Sequence, residues 1–190
     1  VAILIAVGVL VILPLIYVLT IYNRLVSIRA HMRESWADVD VELKRRYDLI
    51  PNLVATVKGY AAHERETLER ITRLRNAAAA NHADTGSQSR DEQALIEALR
   101  QVFIVVENYP QLKADRNFRD LQAQLANTED RIAAARRFFN GNVRELNQLV
   151  EMFPSKLVAS LFSFTRADYF QIDDDRQRAV PKVTLYQQTA

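Results

Sequence analysis

Cysteine is absent from the sequence, and glycine and aromatic residues are scarce. Without Cys, these 190 residues hold no disulfide framework, thiolate metal site, Cys nucleophile or lipidated Cys. Four Gly and 8% aromatic residues disfavour a strand-rich sandwich or barrel. The formal net charge is only +2 and no basic stripe alternates with aromatics, so a nucleic-acid partner is not expected.

Charge is also absent from one whole segment, because no Asp, Glu, Lys or Arg precedes Arg24. As a helix, the apolar run 1–22 is long enough to cross a bilayer core of about 30 Å. We therefore predict a transmembrane anchor that contacts membrane lipids. A cleaved signal peptide fits less well because the run has no basic n-region, and a buried core helix because it has no polar face. The residues assigned to the anchor are Val1, Pro14, Tyr17 and Tyr22.

The rest of the chain shows helical periodicity, with apolar residues recurring every three or four positions. No turn signal separates the anchor from the first apolar stripe, at 25–43, which predicts one continuous helix. Further stripes lie at 53–74, 95–106 and 118–153, and the heptad-like spacing of the last favours shallow, coiled-coil-like packing. The predicted fold class is all-α, with an N-terminal transmembrane helix that continues into an antiparallel bundle of three to four long helices.

Two interruptions divide the first three stripes. Pro51 predicts a kink or a tight turn, with Asp48 as the cap of the next helix. The polar stretch 81–89 is typical of a loop. Ser89 followed by Glu92 predicts a capping box at the start of the third helix.

The C-terminal third is less regular. Gly141 is a weak point in the fourth stripe, and Pro154 predicts its end. The apolar, aromatic segment 155–170 is expected to pack on the end of the bundle, with an amphipathic position at the membrane as the alternative. The predicted organisation is an anchor (1–22), a bundle domain (23–170) and a polar C-terminal tail (171–190).

Four motifs follow one another along the chain. They are residues 22–26 (YNRLV), 36–64 (beginning WADVDVELKRRYDLIPNLV), 107–114 (ENYPQLKA) and 129–140 (EDRIAAARRFFN). In this order they resemble the LemA family of bacterial membrane proteins. The resemblance implies a helical bundle behind a single N-terminal membrane helix, and it implies no particular reaction.

The expected location is the bacterial inner (cytoplasmic) membrane, crossed once. Arg24, Arg29 and Arg33 follow the anchor closely and nothing basic precedes it. The positive-inside tendency therefore places the soluble domain in the cytoplasm. Some members of the resembled family carry a lipoprotein-type N-terminus, which implies export, so a periplasmic domain is the alternative.

The sequence carries no complete catalytic motif. A di-iron bundle needs Glu three residues before His on two helices, but Ile28, Tyr60 and Ala79 stand at those positions. The segment 63–67 (HERET) begins like a zincin helix, but Thr67 stands where the second His is required. We therefore predict no enzymatic activity, no cofactor, and neither catalytic nor metal-binding residues.

The polar motifs have a structural interpretation, since charges of both signs on antiparallel helices can pair and fix register. Basic residues at 44–46 and 136–137 lie near acidic residues at 38–42 and 129–130 in this pattern. The candidates for packing, register or interface roles are Trp36, Arg45, Arg46, Asp48, Pro51, Asn52, Tyr60, Glu129, Arg136, Asn140 and Phe170.

Three functions are compatible with these features. The first is a non-enzymatic membrane scaffold that self-associates laterally into homo-oligomers, with residues 169–170 contributing to contacts. The second is an accessory protein that modulates a membrane enzyme or protease, another membrane protein, through the segment 155–170. The third is a bundle that binds a small ligand or metal through Asp38, Glu64 and Glu129.

Overall fold

The computed structural model describes residues 2–81 and 84–171. Its longest element is α1 (Ala2–Tyr60), a single helix of 59 residues that extends for about 88 Å. The predicted continuity between the anchor and the first bundle helix is therefore confirmed. Val1 and the tail beyond residue 171 lie outside the described residues, so the proposed limits of the anchor and the tail stay predictions.

Pro51 does not produce the predicted turn. It lies inside α1, as does Pro14, and Asp48 is an exposed mid-helix residue instead of a cap. The physical reason is the burial on both sides of the proline: Ile50 and Leu53 are both inside the core. A proline within a helix costs about 3 kcal/mol, and burying a single large aliphatic side chain returns about 1.5–3 kcal/mol.

Within residues 2–81 and 84–171, five further helices follow α1. They are α2 (Arg65–Ala80), α3 (Thr85–Val106), α4 (Pro110–Ala114), α5 (Arg116–Glu151) and α6 (Ser155–Leu161). The part of the chain that the structure describes contains no strand. The all-α class is confirmed, and α1, α2, α3 and α5 are the long helices of the bundle.

The start of α3 differs from the prediction. Asp84 is its N-cap and accepts a hydrogen bond from the backbone N–H of Ser87 at 2.8 Å. The helix therefore begins at Thr85, and the predicted capping box is wrong: Ser89 lies within α3 and its hydroxyl donates to the Thr85 carbonyl. The earlier cap prevails because Asp84 has the extended backbone that an N-cap requires. Glu92 therefore takes no part in capping α3.

The helices form an antiparallel arrangement in which α1 packs along α5 and α2 packs along α3. The pairing of Arg24 with Glu145 near one end of α5, and of Tyr60 with Asp115 near the other, sets the α1–α5 register. Gly141 does not interrupt α5, because Phe139 and Val143 on either side of it are buried. The predicted end of α5 before Pro154 is confirmed, since the helix ends at Glu151.

The segment 155–170 packs on the bundle as preferred from the sequence. The short helix α6 contacts both α1 and α5, and residues 162–171 then run back along the bundle outside any helix. Phe164 and Phe170 are its buried aromatic residues. We call residues 162–171 the C-terminal strap.

Candidate functional site

The centre of the bundle holds a buried ionic cluster built around Arg46. The side chains of Arg46 and Glu92 are both fully buried, and they form an ion pair between α1 and α3. The second terminal nitrogen of the guanidinium, Nη1, donates to Glu129 on α5. It lies 2.9 Å and 3.0 Å from the two carboxylate oxygens of Glu129. Arg46 thus ties three helices together at one point.

Tyr47 and Gln88 complete the hydrogen bonding of the buried carboxylate. The Tyr47 hydroxyl donates to Glu92. The Gln88 amide donates to Glu92 at 2.8 Å and lies 3.1 Å from the Tyr47 hydroxyl. Arg75 of α2 adds a bond from Nε to the Tyr47 carbonyl at 3.0 Å. All four long helices therefore contribute to the cluster.

The surroundings of Arg46 and Tyr47 shift the pKa values of both side chains. Burial by itself would lower the pKa of Arg46, but attraction by Glu129 and Glu92 outweighs burial and raises it. Burial, with the adjacent Glu92 carboxylate, raises the pKa of Tyr47 well above its ordinary value. At neutral pH the guanidinium is therefore a cation and the phenol a hydrogen-bond donor.

This geometry suits register and specificity better than catalysis. Arg46 and Glu92 have no exposed surface, so a substrate has no access to the pair. Glu129 is the member with the clearest solvent contact, at 39% exposure of its side chain. A hydrogen-bonded ionic cluster of this kind penalises any shift of one helix past another, because the shift would leave a buried charge unpaired.

Two carboxamide side chains form a second site that holds the C-terminal strap on α5. Asn147 donates to the Ala167 carbonyl at 3.0 Å and accepts from the Ala167 N–H at 2.9 Å. Asn140 makes the same pair of bonds to Phe170, at 3.0 Å and 2.9 Å. Each side-chain amide thus offers the backbone of the strap one donor and one acceptor, as a neighbouring β-strand would. We call these two residues the carboxamide clamp.

Aromatic packing reinforces the clamp. The ring of Phe170 is fully buried and stands edge-on to Trp36, with 5.2 Å between the ring centroids. The ring of Phe139 on α5 also packs against Trp36, with 5.1 Å between the ring centroids. Phe170 therefore makes its contacts within its own chain, which leaves Tyr169 as the exposed aromatic of the pair suggested for contacts between copies.

We predict that Asn147→Asp loosens the strap. An aspartate cannot donate to the Ala167 carbonyl, so a partly buried acceptor loses its partner and the free energy of unfolding falls by about 1–3 kcal/mol. Thermal unfolding of the full chain in detergent, followed by circular dichroism, measures the loss. The control is Gln148→Glu at the next, exposed position, where a change within about 0.5 kcal/mol is expected. Equal stability of the two variants would contradict the clamp.

The remaining candidates lie at or near the surface. Arg45 is partly exposed near Glu42, and Asp48 is 3.9 Å from Arg75. Asn52 is exposed, so its side chain does not enter the core. The Tyr60 hydroxyl donates to Asp115, the cap of α5, at 3.0 Å. Bonds from the Phe118 N–H and from Tyr60 lower the pKa of Asp115.

Two further candidates have less specific positions. Arg136 is half-buried on α5, and Pro51 is exposed on α1. In the anchor, Pro14 lies inside α1, while the Tyr17 and Tyr22 rings are each 36% exposed. The structure therefore places Arg46, Glu129, Trp36, Tyr60, Asn140 and Phe170 in the specific contacts described above.

The residues suggested for metal or ligand binding are not brought together. Glu64 accepts from the Tyr109 hydroxyl beyond the end of α1, and Glu129 is bound to Arg46. Asp38 lies about 33 Å along α1 from Tyr60. Within residues 2–81 and 84–171, no group of three His, Asp or Glu side chains could hold a metal ion.

A groove of about 500 Å³ opens elsewhere, between the first residues of α3 and the lower part of α1. Trp36, Met32 and Phe139 form its apolar wall, with Arg29 and Asp84 among its charged residues. None of the three suggested ligand residues lines it, so the ligand-binding interpretation loses its predicted site.

Periodicity carried a signal for Glu92, which was not among the site candidates, and for choosing Arg46 among its basic neighbours. Arg46 lies three residues after Leu43 and four before Ile50, within the apolar stripe of α1. Glu92 continues the stripe of Leu95 and Leu99 in α3. A charged residue at a core position has to be paired, and this rule would have selected Arg46 over its neighbours and given Glu92 a partner.

The side of the α1–α5 pair away from α2 and α3 is an exposed surface that we call the outer face. Its members share exposure and helical spacing: Glu34, Ala37, Asp38 and Val41 on α1, and Ala134, Arg137, Phe138 and Arg144 on α5. Val41 and Phe138 are 64% and 62% exposed. Its charged members on α1 are Glu34 and Asp38, with the partly exposed Arg45, and on α5 they are Arg137 and Arg144, with the exposed Asp130. The α1 half therefore has a net negative charge and the α5 half a net positive charge.

The anchor end of α1 is apolar and unburied. A window of 18 residues within Gly8–Tyr60 has a mean hydropathy of 2.0, and 6% of that window is buried. A core helix of a soluble domain would be mostly buried. By length and composition α1 is thus a candidate membrane span.

Comparison with known proteins identifies the relatives of this chain. The profile of the LemA family matches residues 35–185. The magnetosome protein MamQ 2 of Paramagnetospirillum magneticum is 25% identical over 175 residues, which cover 79% of this chain and 64% of the relative. The magnetosome protein MamQ of Magnetospirillum gryphiswaldense is 24% identical over 174 residues, covering 78% and 64%. The chain thus spans just under two thirds of the length of these relatives. Together with the apolar N-terminal helix, the match to most of the bundle shows that this chain is a membrane protein and belongs to the LemA family.

Proposed function

We propose that the protein is a non-enzymatic membrane scaffold that associates laterally with a second copy of itself through the outer face. The observation that carries the proposal is the opposite net charge of the two halves of that face, with Glu34 and Asp38 on α1 and Arg137 and Arg144 on α5. Relatives named for a cellular structure, the magnetosome, and not for a reaction, are in keeping with a structural role.

The positions of these charged residues along the bundle axis support pairing between the two halves of the outer face. The contacts Arg46–Glu129 and Trp36–Phe139 show that antiparallel packing places Asp38 level with Arg137. Glu34 and Arg144 lie within about one helical turn of each other in height by the same register. None of the ion pairs within the described chain uses these four side chains.

Symmetry then determines the partner surface. Two anchored copies related by a twofold axis along the membrane normal keep equal heights, and each presents its α1 half to the α5 half of the other. Asp38 of one copy meets Arg137 of its neighbour, and the reciprocal pair forms by symmetry. Between these pairs, Val41 and Phe138 lose water contact and supply the hydrophobic part of the interface.

We propose that this interface lies at the cytoplasmic side of the inner membrane, a location supported by the three arginines that follow the anchor. Confinement to a membrane favours association, because both copies are already aligned with their stalks parallel. The scaffold would thus hold neighbouring copies together in the membrane without catalysing a reaction. An accessory role on a membrane enzyme or protease is the competing function.

Disulfide cross-linking between two single-Cys copies tests the proposal, since the sequence contains no other Cys. Asp38→Cys and Arg137→Cys, on copies with different tags, are expected to cross-link efficiently in native membranes. The matched control replaces Asp38→Cys by Glu69→Cys on the exposed side of α2. Cross-linking no stronger than in this control would refute the outer-face dimer. A stoichiometric bond from Asp38→Cys to a different protein would favour the accessory role.

A further inference from the structure

The base of the bundle carries an apolar surface that is exposed within the described part of the chain. Large apolar side chains on and beside α6 are between 43% and 80% exposed. They are Met152, Phe153, Leu157, Leu161 and Phe162. We call this surface the basal patch. Contiguous apolar groups of this kind usually mark a site of protein or membrane contact.

The opposite side of α6 is fixed to the bundle. Val158 and Ala159 are buried against Leu25, Ile28 and Leu146, together with Phe164 of the strap. Since these residues hold the helix in place, Leu157 and Leu161 cannot turn inward without breaking that cluster. The basal patch is therefore a fixed surface of the folded chain.

The patch lies at the level where α1 leaves its uncharged segment. Val18 and Ile21 of the anchor pack against the same cluster as α6. The ring of Tyr22 is 4.7 Å from Phe162, and the first charged residue of the chain is Arg24. When α1 spans a bilayer, this depth is the boundary between acyl chains and headgroups.

The polar surroundings of the patch suit lipid headgroups. Lys156 is exposed on α6 between the apolar residues. Arg24 and Arg166 stay more than half exposed while pairing with Glu145 and Glu151, at 2.9 Å each. The guanidinium of Arg29 lies 4.1 Å from the centre of the Phe164 ring. Cations thus outnumber acids around the patch, which favours anionic phosphate groups.

We propose that the basal patch inserts Phe153, Leu157 and Leu161 into the headgroup–acyl boundary of the same membrane that α1 crosses. The partner is the lipid surface, and the argument is the continuity of the patch with the anchor. Two contacts, one spanning and one interfacial, fix the tilt and rotation of the bundle. This inference does not depend on self-association, because it uses the base and not the outer face.

Lipid-dependent quenching in reconstituted vesicles tests the insertion. Full-length Leu157→Cys and Leu161→Cys variants, each with an environment-sensitive fluorophore, are placed in vesicles of phosphatidylcholine and phosphatidylglycerol. A nitroxide on the acyl chain near the headgroup serves as the quencher. The matched control is Ile104→Cys, an exposed apolar position near the end of α3. We expect several-fold stronger quenching at 157 and 161 than at 104.

Two results would overturn the insertion. Quenching at 157 and 161 no stronger than at 104 would show that the patch stands in water. Shielding from both the nitroxide lipid and aqueous iodide would show that protein, such as a second copy, covers the patch. A charge reversal at Asp38 should leave the quenching unchanged, which separates this test from that of the outer face.

Discussion

Arg46→Met is expected to lower the free energy of unfolding by about 3–5 kcal/mol, the loss typical of breaking a buried ion pair from one side. The substitution leaves the Glu92 carboxylate fully buried without its cation. Tyr47 and Gln88 still donate to Glu92, but two neutral donors do not offset the missing positive charge. Glu129 contributes little to the loss because its side chain is partly exposed to water.

Two companion variants make this prediction specific. Arg46→Met combined with Glu92→Met should recover part of the stability, because an apolar pair can replace a buried ion pair at little net loss. The recovery is incomplete because the buried Tyr47 hydroxyl loses its acceptor. Arg45→Met, at the partly exposed neighbouring position, should change stability by about 0.5 kcal/mol or less. Denaturant unfolding of the full chain in detergent, followed by far-ultraviolet circular dichroism, gives all three values. If the double variant is as unstable as Arg46→Met, the assigned role of Glu92 is wrong.

Reversing one charge on the outer face is expected to break the dimer without unfolding the chain. Asp38→Arg would set two arginines opposite each other at both symmetric contacts, and Arg137→Asp would do the same with two carboxylates. Since like charges at a protein contact can cost several kcal/mol, we expect at least about a tenfold weaker association. Glu69→Arg, on α2, supplies the same charge change away from the face and should leave association unchanged.

The fold was largely predictable because apolar periodicity reflects which residues lose contact with water. The stripes gave the long helices and the continuity of α1 across residue 22. Predictions from single residues were wrong where a stronger effect opposed them. Pro51 predicted a turn, but burial of Ile50 and Leu53 maintains the helix. Ser89 and Glu92 had the spacing of a cap, but Asp84 caps α3 first.

The site was predictable only in part. Pairing of Arg46 with Glu129 agrees with the expectation that opposite charges meet across antiparallel helices, and the structure brings them to 2.9 Å. The spacing alone gave no reason to choose Arg46 over Arg45 until its place in the apolar stripe was considered. The carboxamide clamp depends on the path of the C-terminal strap. Burial of Phe164 and Phe170, at separate places in the bundle, determines this path. No local pattern encodes that path.

The double charge reversal tests the proposed scaffold most directly. The measurement is the mass of the particle extracted with its lipids from native membranes, for Asp38→Arg, for Arg137→Asp, and for the two combined. We predict monomers for each single variant and a restored dimer for the combination, because the two facing charges exchange sign together. Dimers that survive both single reversals, or monomers that persist in the double variant, would contradict association through the outer face.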